Sequence, residues 1–233
     1  MNTEEKILII AAHPDDEVLG CGGIIAKYRS LGILVRVVFL AEGVTARYDE
    51  HELQLPHVLA DKNRRNKNAF RALDILSVPK DQIFINERYC CRLDQTPQID
   101  LVKQIESHIV EWQPTSIYTH SPNDVNIDHR IAYKAVLAAT RPIKGSSVKA
   151  VYSFEVLSST EWNTAQPFQA NIFVDISDFI KLKIKALSAY EGEMRDAPHP
   201  RSKEAIHALA RYRGAQSGLD FAEAFNLIRS IKP

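Results

Sequence analysis

Two short clusters hold most of the chemistry available to this 233-residue chain. The first, His13-Pro14-Asp15-Asp16-Glu17, sets one imidazole beside three carboxyl groups. The second, His120-Ser121-Pro122-Asn123-Asp124-Val125-Asn126-Ile127-Asp128-His129-Arg130, mixes His with Asp again. A catalytic zinc keeps three protein ligands of nitrogen and oxygen type and leaves a fourth position for water. His13 and Asp16 are close enough along the chain for both side chains to face one point, and His129 is the best third ligand. Each residue also has an ordinary use. Asp15, Asp16, Asp124 or Asn126 could cap the helix that follows it, and His13 could be a hydrogen-bonded core histidine. Those uses do not explain two clusters of the same makeup leaving strands at the same rim of a sheet.

The elements that must position the clusters are legible from periodicity. Residues 7–12, Ile-Leu-Ile-Ile-Ala-Ala, form an unbroken apolar run of the kind that makes a strand buried on both faces. A helix over 17–31 stops at Gly32, and a second buried strand covers 33–40. A polar loop with Glu42, Thr45, Arg47, Tyr48, Asp49, Glu50 and His51 then runs to about Pro56. Its length suits a substrate loop as well as a surface insertion. A helix over 59–76 follows, with Lys62-Asn63-Arg64-Arg65-Asn66-Lys67 read as its solvated face. Next come a strand at 82–85, a helix at 100–112, a strand at 116–120 and a helix at 127–140. Strand–helix alternation implies βαβ units and a mainly parallel sheet. Beyond Arg141 the spacing predicts strands at 148–154 and 172–175, a helix at 179–193, and a final helical region over 202–231 interrupted at Gly214 and Gly218. The expected fold is α/β, a Rossmann-like three-layer sandwich. A single domain is expected, with residues 1–141 as the βαβ core and 142–233 as a C-terminal elaboration of strands and helices.

Composition excludes several classes. Lys+Arg and Asp+Glu are equal at 29 each, so no global field recruits nucleic acid. Cys21, Cys90 and Cys91 are too few and too badly spaced for a disulfide framework or a cysteine zinc site, and Cys90-Cys91 is not a C-x-x-C pair. Residues 1–6 lack a basic region followed by an apolar stretch, so no secretory signal is expected. No apolar segment approaches the ~18 residues of a membrane span, and a cytoplasmic protein is the default. Gly20, Gly22 and Gly23 would let the first helix pack tightly on the sheet. They do not form G-x-G-x-x-G, since position 25 is Ile, which weighs against a non-catalytic nucleotide- or sugar-binding module. Glu17 belongs to the first helical turn, favourable to the helix dipole.

Ala12-His13-Pro14-Asp15-Asp16-Glu17, followed by Gly20-Cys21-Gly22-Gly23 and later by Asp124-Val125-Asn126-Ile127-Asp128-His129, resembles the LmbE-like / PIG-L deacetylase family. The resemblance spans roughly the first 140 residues. Members are metal-dependent N-deacetylases that act mostly on N-acetylglucosamine-type sugars in glycolipids, thiol cofactors or antibiotics. The stretch from Ser153-Phe154-Glu155 to Pro198-His199-Pro200-Arg201-Ser202 looks like a branch associated with bacterial surface polysaccharide synthesis. By position, the resemblance implies that His13, Asp16 and His129 hold Zn2+, with Fe2+ as the alternative ion, and that Asp15 is the general base. The residue chemistry agrees, because an uncoordinated carboxylate one residue from a ligand is well placed to take the proton of metal-bound water.

The chain departs from part of that family at Asn126, where several members carry His. Asn cannot titrate, so its amide could donate to the oxyanion while its oxygen caps the helix. Asp15 is left as both acid and base, with His199, fixed between Pro198 and Pro200, as the substitute acid. Asp124, Asp128 and His120 are candidates for orienting the ligand imidazoles. Arg47, Arg92, Asp94, Arg201 and Tyr212 are candidates for holding sugar hydroxyls or an anionic portion of the substrate, with Arg201 foremost because its planar fork suits phosphate. Trp162 could stack on a sugar ring. His51, His57, His108 and His207 have no partner pattern and read as surface or structural. The expected partner is a small N-acetylated sugar or glycoconjugate, and a homo-oligomer is compatible with the sequence. Rival readings are an amidase for a larger N-acyl group, the binding module, and a two-ion phosphatase for which only one set of ligands is at hand.

Overall fold

The computed structural model describes residues 5–232, so the amino-terminal reading over residues 1–4 lies outside the described residues. The parallel core uses strands β1 (Lys6–Ala11), β2 (Leu34–Phe39), β3 (Ile83–Ile85), β4 (Ser116–His120) and β5 (Ala150–Phe154). Between them lie helices α1 (Asp16–Ser30), α2 (Pro56–Ile75), α3 (Gln98–Trp112) and α4 (Ile127–Ala139). The C-terminal part adds β6 (Ile172–Asp175), α5 (Ile180–Leu187), α6 (Lys203–Ala215) and β7 (Ala222–Ser230). All seven strands join one sheet in the order β3-β2-β1-β4-β5-β7-β6.

The β1 run is apolar throughout because both of its faces are covered. Ile7, Ile9 and Ala11 pack under α1, α2, α5 and α6, while Leu8 and Ile10 pack under α3 and α4. The result is the expected α/β three-layer arrangement. Gly20 is required by this packing: a Cβ there would run into the Phe154 ring of β5. A Cβ on Gly23 would stand 2.6 Å from Ile176 Cγ2. Gly22, by contrast, faces Lys183 of α5 rather than the sheet.

The end of the chain differs from expectation. Residues 222–230 form β7, an antiparallel strand between β5 and β6, rather than more helix. Ala-Glu-Ala has high helical propensity, but tertiary context overrides it. Glu223 is the clearest cause. Its buried carboxylate accepts the backbone N–H groups of Gly23 and Ile24 at 2.7 Å each and pairs with Lys183 at 2.7 Å. That bonding fixes β7 against α1 and α5. The helix expected over 179–193 ends at Leu187, and the following turns carry Glu193 toward the rim of the sheet. Among the described residues no helix is long and apolar enough to cross a membrane.

Candidate metal centre and active site

The chain order reverses between β1 and β4: β2 and β3 continue on one side, β5 on the other. In open α/β sheets ligands bind outside the strand carboxyl ends at such a reversal. His13 lies two residues past β1, and His129 lies in the first turn of α4 after the loop that leaves β4. A cleft of about 460 Å³ opens there.

The turn after β1 is held by its own groups. Asp16 Oδ2 accepts the His13 backbone N–H at 2.9 Å, and Glu17 Oε2 accepts that of Asp15 at 2.9 Å. Asp15 has φ 118°, in the half of the map that favours glycine. Keeping a non-glycine residue in a sparse region costs about 1–3 kcal/mol, and such strain concentrates at functional sites.

Three side chains converge below this turn. Asp16 Oδ2 is 3.4 Å from His13 Nδ1 and 3.2 Å from His129 Nε2. A tetrahedral ion with nitrogen and oxygen ligands at about 2.0–2.2 Å sets its ligand atoms about 3.3–3.6 Å apart. Two imidazoles and one carboxylate at this spacing fit Zn2+, and the same donor set suits mononuclear Fe2+.

Neighbouring carboxylates fix which nitrogen each ring presents. His13 donates its Nε2–H to Asp128 Oδ2 at 2.8 Å, and His129 donates its Nδ1–H to Asp124 Oδ2 at 3.0 Å. Asp128 is itself anchored by the backbone N–H groups of Cys91 at 2.7 Å and Leu93 at 2.9 Å. Asp124 accepts from the Asn126 backbone at 2.8 Å, from the Thr160 hydroxyl at 2.6 Å and from the Ser159 hydroxyl. Ligand orientation of this kind fixes the tautomer and raises basicity. His120 serves differently. Its Nε2 accepts the Ala12 N–H at 2.8 Å, and its ring stacks on His129 with centroids 3.9 Å apart.

Charge follows from these contacts. Burial opposes a protonated His13, but the hydrogen bonds to Asp128 and Asp16 outweigh it and lift its pKa to about 10. His129 reaches about 9 against the same burial, through Asp16 and Asp124. Burial alone would raise Asp16, yet the charge of His129 and the hydrogen bonds from His129 and His13 hold it well below the carboxylate range. Burial and the neighbouring His129 lower His120 to about 3, which leaves it neutral. A cation entering here would therefore have to displace protons from His13 and His129.

Asp15 stands apart from the converging trio and is gripped by two arginines. Arg201 Nη1 reaches Asp15 Oδ2 at 2.8 Å and Arg65 Nη1 reaches the same oxygen at 3.0 Å. Asp15 Oδ1 takes no hydrogen bond from the described residues. Burial raises the Asp15 pKa, and Arg201 and Arg65 pull it back. Glu193 closes the cluster. It binds Arg201 at 2.9 Å, Arg47 at 2.7 Å and also Arg65, and the arginines keep it ionised against its burial.

The remaining sequence candidates divide. Arg47 and Asn126 line the cleft. Asn126 caps α4, its Oδ1 accepting the Asp128 N–H at 2.9 Å. Arg201 also lines the cleft, but its guanidinium is taken by Asp15, Glu193 and the Ser158 hydroxyl rather than open for a phosphate. Arg92, Asp94, His199 and Tyr212 lie outside the cleft lining. Arg92 and Asp94 flank buried Leu93, whose N–H is tied to Asp128, so the inward position of that turn belongs to Leu93. His199 turns its Nδ1 onto the Arg201 backbone N–H at 3.0 Å. Trp162 is exposed at the cleft mouth. Glu17 does lie in the first turn of α1, but buried, hydrogen-bonded to Tyr190 and raised by that burial to about 8.

Sequence reasoning missed Arg65 and Glu193. Lys62 and Arg65 are buried, not on a solvated face. The signal was present, since Val58, Lys62, Arg65, Ala69 and Ala72 repeat at helical spacing on one buried stripe of α2. Glu193 gave no signal, because the turns after α5 alone bring it to the rim.

Comparison with known proteins agrees with this architecture. A diacetylchitobiose deacetylase from Thermococcus kodakarensis is 27% identical over 243 residues, covering 99% of this chain and 85% of that protein. The solved N,N'-diacetylchitobiose deacetylase from Pyrococcus horikoshii superposes with a TM-score of 0.77 at 21% identity, over 97% of this chain and 84% of that one. A 4-carboxy-2-hydroxymuconate hydratase from Pseudomonas putida shares the fold with a TM-score of 0.73 at 21% identity, over 98% of both chains. The family model described as GlcNAc-PI de-N-acetylase matches residues 8–140, which hold both clusters and the strand reversal between them. This chain belongs to that PIG-L family of de-N-acetylases, hydrolases that cleave an amide C–N bond.

Proposed function

We propose that the protein removes the acetyl group from an N-acetylated sugar or sugar conjugate, with His13, Asp16 and His129 holding one Zn2+ or Fe2+ and Asp15 moving the proton. The observation that carries this is the convergence of His13 Nδ1, Asp16 Oδ2 and His129 Nε2, with an arginine-held carboxylate one residue away. A bound cation supplies acidity to water and polarises the acetamide carbonyl. Asp15 takes the proton of the attacking water and returns it to the leaving amine, so one group serves as base and then acid. Arg65 and Arg201 hold Asp15 in position and moderate the rise in its pKa, which suits a base working near neutral pH. Asn126 spends its oxygen on the helix cap and directs Nδ2 toward Cys91 Sγ at 3.8 Å, so one remaining amide hydrogen is the part left to meet an oxyanion.

The cleft volume of about 460 Å³ lies within the range of small-molecule sites. Trp162 at its mouth offers an aromatic face for a sugar ring, and Arg47, half exposed, offers a cation to hydroxyls or an anionic group. Acetate release from N-acetylglucosamine, N,N'-diacetylchitobiose and nucleotide- or lipid-linked N-acetyl sugars tests the reading. Release from at least one, abolished by chelator and restored by Zn2+ or Fe2+, is expected. Hydrolysis undiminished by complete metal removal would contradict it.

A further inference from the structure

Cys90 and Cys91 make an arrangement that amide hydrolysis does not use. On extended backbone, consecutive side chains point to opposite sides. Cys91 instead has φ 57°, a left-handed conformation that is uncommon for any residue with a side chain. The resulting kink brings the two sulfurs within 3.8 Å of each other. The kink is pinned on both sides. The Cys90 N–H donates to Glu42 and Thr45 at 2.9 Å each, and the Cys91 N–H donates to Asp128 at 2.7 Å. Cys90 is buried, whereas Cys91 is exposed in the cleft. One ring nitrogen of His13 and the two sulfurs all lie within 4.8 Å of one another.

We propose that Cys90, Cys91 and His13 form a second site, for a thiophilic divalent cation such as Zn2+ or Cd2+, whose filling switches the deacetylase centre off. A tetrahedral zinc with Zn–S bonds of about 2.3 Å sets two thiolate sulfurs about 3.8 Å apart. The backbone kink holds the sulfurs at that separation already. Thiolates favour soft and borderline cations over Mg2+ or Ca2+, so the site selects its ion by chemistry. On binding, the two thiol protons and the proton on the His13 nitrogen that turns to the ion leave to solvent, and three protein donors leave one place for water. The inhibitory half of the proposal rests on the proposed centre, because His13 is common to both sites. Whichever His13 nitrogen turns to a second ion gives up either its bond to Asp128 or its place facing Asp16.

The test starts from protein carrying one equivalent of Zn2+ and adds Cd2+ stepwise. Ultraviolet sulfur-to-metal charge transfer reports the sulfur site, and acetate release from N,N'-diacetylchitobiose reports the centre. A second equivalent is expected to bring up the band while activity falls about tenfold or more. In Cys90→Ser, Cys91→Ser and the double variant, the band is expected to vanish. The drop, measured against each variant's own rate at one equivalent of Zn2+, should vanish with it. No band in the parent protein at saturating Cd2+, or a band that survives in the double variant, overturns the site. A band without loss of activity overturns its control over the centre. Protein that at one equivalent of Zn2+ releases acetate from none of the N-acetyl sugars named above speaks against the deacetylase centre instead, while the band still decides the sulfur site.

Discussion

Asp128 Oδ2 accepts the Nε2–H of His13 at 2.8 Å, and this single bond turns the opposite ring nitrogen toward Asp16. Asp124 does the same for His129 from the other side. Each carboxylate is held in turn by backbone N–H groups, so the ring orientations are set before any ion arrives.

Asp128→Asn is therefore expected to weaken metal binding by about 10–100-fold, as loss of such orienting partners does. Competition with a chromophoric chelator measures it. Activity should recover at high metal concentration. Unchanged affinity would remove Asp128 from the account.

Asp15→Asn is expected to keep metal and lose about 10²–10⁴-fold in kcat, the range for a general acid–base group. Metal content and kcat measured on the same preparation separate the two effects. Parental turnover would mean that the proton moves elsewhere.

Arg201 holds the Asp15 pKa down against burial. Arg201→Met removes one of two opposing cations, so the acid limb of the kcat/KM profile should move to higher pH. A limb that stays in place, or moves to lower pH, would separate Arg201 from Asp15 function.

Metal-free stability should fall as pH rises through the alkaline range. His13 and His129 have folded pKa values of about 10 and about 9, above the ordinary 6.5. Their contribution is full below pH 6.5 and is lost as pH climbs through 9 and 10. Glu17, raised from 4.5 to about 8, acts with the same sign, its contribution being lost between those values. His120, lowered to about 3, has the opposite effect and costs stability only as pH falls below 6.5. The Tm of chelator-treated protein is thus expected to drop from pH 7 to pH 10, and added metal to gain affinity over the same range. A flat or rising Tm would contradict this charge assignment.

Much of this was open to sequence reading because a buried strand announces itself. The run from Ile7 to Ala12 and the strand ending at His120 fixed where two clusters must emerge, and β4 and β6 fall on the residues expected. The rest was hidden where long-range contacts decide. Ala-Glu-Ala at 222–224 looks helical until Glu223 meets the N–H groups of Gly23 and Ile24, 199–200 residues away. Arg65 looked solvated because charge was given more weight than its place on the apolar stripe of α2. Arg201 was singled out as a holder of an anionic part of the substrate, such as phosphate, whereas its guanidinium binds Asp15, Glu193 and Ser158 of the chain itself, which are 186, 8 and 43 residues away.

The fold itself offers one more check. Gly20→Ala would force the Phe154 ring aside, and overpacking of this kind costs about 1–3 kcal/mol. Chemical denaturation should show a loss in that range, with metal stoichiometry unchanged. Full stability would mean that α1 does not pack against β5 as closely as described.

Crystallographic anomalous scattering from protein soaked with limiting Zn2+ locates the first ion to bind. One peak bonded to His13 Nδ1, Asp16 Oδ2 and His129 Nε2 at about 2.0–2.2 Å, and absent in His129→Ala, is the expected result. A first-filled ion bound anywhere else, or one that His129→Ala leaves undisturbed, would contradict it.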